Sequence, residues 1–145
     1  MQKEENLKLV KKLKNLSIYL SFAIRDAEFF NIEELAKGLK SYKEIKKILY
    51  WEVDLRGNIA EFMSETLGRC NVLSLFCSEN AINSLDVEEE WKKADMLGIP
   101  IIPVFLEVDH IPPVLKSRLS IKYDLIDFGK NIIQLHSLIL NNCAF

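Results

Sequence analysis

The chain has 145 residues, of which 49% are hydrophobic and 28% charged, with a formal net charge of -2. That size suits one domain with a sizeable core, and the near-neutral balance gives no electrostatic support for nucleic-acid binding. Runs such as "IPIIPVFL" fall far short of the roughly 20 apolar residues of a membrane span, and the N-terminus lacks the apolar core and small-residue cleavage site of a signal peptide.

Three cysteines, Cys70, Cys77 and Cys143, form no CxxC pair. An odd count without a secretion signal predicts reduced thiols and a cytoplasmic protein. His110 and His136 have no clustered partners, so no metal site is expected.

Residues 1–14 are lysine-rich, with Leu7, Val10 and Leu13 at helical spacing, and read as a charged extension before a domain spanning 15–145. "LSIYLSF" (16–22) is an apolar, β-branched and aromatic run that predicts a strand. Asp26 is placed to cap a helix running to Ser41, with Phe29, Ile32, Leu35, Ala36 and Leu39 as its apolar stripe. "IKKILYW" (45–51) predicts a second strand and "EVDLRG" (52–57) a polar loop. Asn58 and Glu61 have the spacing of a capping box for the helix that follows, and Gly68 suits its end.

"NVLSLFC" (71–77) predicts a third strand, 86–97 a helix ending at Gly98, and "IPIIPVF" (99–105) a fourth strand. Its two prolines suggest weak ladder pairing or an edge position. Mostly loop follows, then a short strand in "IKYDLIDF" and a last helix over 130–141. Alternating strands and helices, with near-continuously apolar strands, predict a parallel sheet covered on both faces. Right-handed crossovers and five strands favour an α/β flavodoxin-like three-layer sandwich of order 2-1-3-4-5. Ligands in such sheets bind beyond the carboxyl ends of the strands where the order reverses, here the first and third.

The helix over 86–97 contains "VEEEWKKA" (87–94). At about 100° per residue, Val87, Trp91 and Ala94 share the apolar stripe. Glu88 and Glu89 point outward, each with a lysine four residues on, Lys92 and Lys93, and Asp86 is placed as N-cap. Glu90 falls on the border of the stripe, between Val87 and Leu97, and its neighbour four residues on is Ala94. The pattern therefore leaves one carboxylate without a cationic partner beside the core. Such a group is disfavoured unless its surroundings compensate.

Several segments together resemble the Toll/interleukin-1 receptor (TIR) domain, in a stand-alone, prokaryotic-type form. "SIYLSF" resembles the first box of that family, with Phe22 where a tyrosine is common. "YWEVDLRGN" resembles the second-strand end and BB loop, with Gly57 at the usual glycine. "GIPIIPVF" resembles the fourth strand. In "LFCSENAINSLDVEEEWKKA" the family spacing runs from Ser84 to a glutamate six residues on, which is Glu90; the usual Trp-Cys after the serine is Asp86-Val87 here.

The resemblance implies that Glu90 is catalytic and that the reaction is cleavage of the nicotinamide–ribose bond of NAD, with NAD as substrate and no cofactor. It implies a substrate-binding set of Phe22, Arg25, Trp51, Glu52, Asp54, Arg56 and Ser84, and activation by association with other TIR domains in defence or stress signalling. The product would be ADP-ribose or a cyclised form. The competing reading is a non-enzymatic TIR adaptor working through protein contacts alone. A phosphoacceptor receiver domain shares the topology, but Ala23-Ile24 and Cys77-Ser78 stand where its acidic pair and phosphorylated aspartate belong. A nucleoside deoxyribosyltransferase is a more distant relation in sugar chemistry.

Overall fold

The computed structural model describes residues 15–50 and 66–143. Five parallel strands form one sheet in the order β2-β1-β3-β4-β5: β1 Leu16–Ser21, β2 Ile45–Leu49, β3 Val72–Phe76, β4 Ile101–Phe105 and β5 Ile121–Lys122. Among the described residues the helices that accompany them include α1 Ile32–Lys40, the single turn α2 Glu79–Ile82, α3 Leu85–Met96 and α4 Phe128–Cys143. The flavodoxin-like three-layer arrangement expected from the sequence is thus present.

Side chains alternate across a strand, and the two faces of the sheet are consequently distinct. Leu16, Ile18 and Leu20 of β1 join Val72 and Phe76 of β3 against α1 and α4. Tyr19 of β1 joins Leu73 and Leu75 of β3 on the face that α3 covers through Val87 and Ala94. On the first face Gly38 lets α1 approach α4 closely, since a Cβ there would lie 2.5 Å from Ile132 Cδ1. Gly98, at φ 74, ends α3 in the left-handed conformation that glycine adopts without strain.

Three expectations need correction. Asp26 does not cap a long helix. It closes a 3-10 turn over Ile24–Asp26, and α1 begins only after Asn31, which holds a left-handed φ of 50. Phe29 is therefore half-exposed, while Phe30 enters the core against Phe76 and Tyr123, with ring centroids 5.2 Å away in both cases. Second, β4 is an interior strand, not an edge. Pro103 is tolerated because it pairs with Leu75 on one side, while β5 meets only Val104 and Phe105 on the other. Third, Ser84 and not Asp86 is the N-cap of α3, its hydroxyl accepting from the Val87 amide at 3.2 Å. The extension 1–14, the capping-box helix at Asn58 and the loop from Trp51 lie outside the described residues.

Candidate active site

The sheet order reverses between β1 and β3, and a cavity of about 420 Å³ opens beyond their carboxyl ends. Phe22 and Arg25 line it from the segment after β1; Asn80, Ser84, Asp86 and Glu90 line it from α2 and α3. Its size falls within the range of small-molecule sites. A larger hollow, about 680 Å³, lies at the other end of the sheet around β5 and α4.

Glu90 sits one turn into α3, on the side that carries Val87 and Ala94 toward the sheet. It is only 3% exposed. Tyr19 and Ser21, two residues apart on β1 and so on one face, both reach it. The Tyr19 hydroxyl donates to Oε2, and the Ser21 hydroxyl donates to Oε1 at 3.1 Å. No ion pair reaches Glu90 among the described residues. On the same helix Glu88 pairs with Lys92, while Glu89 and Lys93, expected to pair likewise, do not. Burial pushes the Glu90 carboxyl up to about 7, and the charge of Asp86 adds to that. The hydrogen bonds from Tyr19 and Ser21 oppose the rise without cancelling it. The Tyr19 hydroxyl is itself driven well above its ordinary range by burial first, then by the neighbouring carboxylate.

A second buried acid braces the same cleft. Asp26 is 7% exposed and accepts from Ser78 Oγ at 2.5 Å and Asn80 Nδ2 at 2.8 Å. Ser78 in turn caps α2 by accepting from the Ala81 amide. One carboxylate therefore ties the segment after β1 to the segment after β3, fixing two walls of the cavity.

Of the residues singled out from sequence, Phe22, Arg25, Ser84 and Glu90 converge on one cavity. Phe22 is also largely packed, its ring 5.6 Å from that of Tyr50. Trp51, Glu52, Asp54 and Arg56 lie outside the described residues. Sequence reasoning missed Tyr19, Ser21, Asp26 and Asn80. The first two carried a signal: hydroxyls at spacing two within an otherwise apolar strand point to one face and need a partner there. Cys70, Cys77 and Cys143 are buried, and burial pushes the Cys70 and Cys77 thiols up to about 12. No cluster of metal-ligating side chains occurs among the described residues. No helix among them is long and apolar enough to cross a membrane.

A family model described as the TIR domain matches residues 18–135. The chain belongs to the TIR domain family. Solved structures agree on the fold. The TIR domain of the Toll-related receptor TRR-2 from Hydra magnipapillata aligns with a TM-score of 0.61 at 17% identity, covering 86% of this chain and 96% of that one. The TIR domains of the activated Roq1 resistosome, which directly recognises the pathogen effector XopQ, align with a TM-score of 0.53 at 12% identity, over 90% and 84% of the two chains. The lysine decarboxylase LdcF of Francisella novicida aligns at 0.52 and 18% identity over 90% of this chain but 17% of its own. The architecture thus recurs outside TIR domains, and fold alone assigns no chemistry. No curated protein matches the sequence.

Proposed function

We propose that this TIR domain cleaves NAD at the nicotinamide–ribose bond, with Glu90 as the catalytic group. The observation that supports this is a nearly buried carboxylate, held by two hydroxyls and, among the described residues, by no cation, lining the cavity at the strand-order reversal. A fold gains no stability from such a group, and perturbed carboxyls in clefts mark functional sites.

Glycosidases usually need two carboxyl groups because the leaving oxygen must be protonated. The nicotinamide of NAD is cationic and leaves as a neutral molecule, taking the bonding electron pair, so no general acid is required. Positive charge then develops on the ribose. A lone carboxylate beside it is stabilising in the transition state more than in the ground state. A lysine or arginine on Glu90 would spend that charge before the substrate arrived. Capture of the ribosyl cation by water gives ADP-ribose and a proton; capture by a nucleophile within the same molecule gives a cyclic product.

In this reading Arg25 meets the pyrophosphate, where a guanidinium matches phosphate oxygens. Phe22 lines the cavity wall, and Ser84 supplies a hydroxyl at the head of α3. Association with other TIR domains brings the protein to its active form, in cytoplasmic defence or stress signalling. Purified protein is incubated with NAD at high concentration with a crowding agent, and the products are separated by chromatography. Nicotinamide release that Glu90→Ala lowers by about 10²–10³ supports the reading. Persistent NAD, or loss indifferent to Glu90, leaves a TIR adaptor that acts through protein contacts.

A further inference from the structure

We propose that Tyr19 and Ser21 are positioning residues for Glu90, a hydroxyl pair that aims its carboxylate and keeps it ionisable inside the core. The proposal rests on the reading of Glu90 given above. Its geometry is specific. Each hydroxyl takes a different oxygen of the same carboxylate, so the group cannot rotate about its terminal bond without losing a donor. The two donors come from alternate positions of a strand paired on both sides, and not from a loop. Tyr19 is fully buried among Leu73, Leu75 and Val87, and Ser21 is equally buried.

Packing alone does not explain two hydroxyls there, because the equivalent positions of β3 on this face, Leu73 and Leu75, are aliphatic. Hydrogen bonds to the charged form favour it over the neutral acid. Without them burial would push Glu90 further toward the neutral acid, and a neutral carboxyl stabilises no ribosyl cation.

Among the described residues the groups that face Glu90 are few. Tyr19 and Ser21 approach from β1, Asp86 lies on its own helix, and Arg25 borders the same cavity. Cys70 lies near Tyr19 and is driven toward the neutral thiol by burial. The two hydroxyls are therefore the donors whose removal reports on Glu90 with least disturbance.

The test reads Glu90 ionisation without relying on catalysis. Urea unfolding of wild type and Glu90→Gln from pH 4 to 9 gives a stability difference that levels off once Glu90 is ionised in the folded protein. The same pair is measured in a Tyr19→Phe background, which keeps the ring, and in a Ser21→Ala background, which guards against poor folding of the first. The levelling-off point moves up by about one pH unit without the Tyr19 hydroxyl and by less without that of Ser21. In parallel, the acid limb of kcat/KM for NAD moves up by the same amount, so activity at pH 6 drops about tenfold and recovers at pH 9. Ser21→Thr, which restores a hydroxyl, returns the wild-type profile. A levelling-off point unmoved in both backgrounds overturns the proposal and leaves the hydroxyls as packing. If the point moves but NAD is not cleaved by wild type, the positioning stands and the catalytic reading falls.

Discussion

The two faces of the sheet are built from the same strands and differ in one respect. Beneath α1 and α4 the interface is apolar almost throughout, with Leu16, Ile18, Leu20, Leu35, Leu39, Leu135 and Ile139. Beneath α3 the interface carries Tyr19, Ser21 and a carboxylate at its end nearest the cavity. The first face is optimised for burial. The second gives up stability at one point, and that point opens onto the strand-order reversal. The contrast repeats along α3, where Glu88 at the surface pairs with Lys92 and Glu90, two residues on, is met by two hydroxyls and by no cation among the described residues.

The largest expected effect belongs to the apolar face. Phe30→Ala removes a fully buried ring that meets Phe76 and Tyr123, at a cost of about 4 kcal/mol. Urea unfolding should show the same loss at pH 5 and pH 8, since burial holds the Tyr123 hydroxyl above its ordinary range and neither phenylalanine ring titrates. A strongly pH-dependent loss would break the distinction between the faces.

Glu90→Gln should lower nicotinamide release by about 10²–10³, or about 3–4 kcal/mol in the barrier. The same variant should be more stable than wild type at alkaline pH. Folding raises the Glu90 carboxyl from an ordinary value of 4.5 to about 7, so the folded state binds its proton more tightly than the unfolded chain. Wild-type stability is therefore intact at pH 4, declines as pH rises from 4.5 toward 7, and stays low above that. Glutamine has no such term, and its advantage should be absent near pH 4 and on the order of 3 kcal/mol above pH 8. Equal unfolding midpoints at pH 8 would show that the carboxylate is comfortable where it lies and would remove the argument for function.

The smallest effect concerns the surface pair. Lys92→Ala frees Glu88, which is partly exposed, and should cost no more than about 0.5 kcal/mol, diminishing with added salt. NAD cleavage should be untouched. A large loss of activity would mean that charge on the outer side of α3 reaches the site.

Local pattern was enough for the strands of the sheet, for α3 with its stop at Gly98, and for the odd position of Glu90. Each depends on near-neighbour periodicity, and hydrophobic residues at spacings of two or near 3.6 have few ways to hide from water. The start of α1 was not legible. Asp26 has the look of a cap, but its carboxylate is claimed by Ser78 and Asn80, more than fifty residues away. The place of β4 was misjudged for a similar reason: whether Pro103 lacks a needed donor depends on where β5 begins.

Sequence by itself determined a parallel α/β sandwich, the cleft at the ends of β1 and β3, and one glutamate set apart from its neighbours, because helix and strand periods are local and the topology rules are few. Only the tertiary structure decided what that glutamate meets. Tyr19 and Ser21 lie some seventy residues from it in the chain, and no local period encodes a contact across a layer. The carboxyl's proton affinity follows from that contact and from its burial, both of which exist only once α3 has closed over β1.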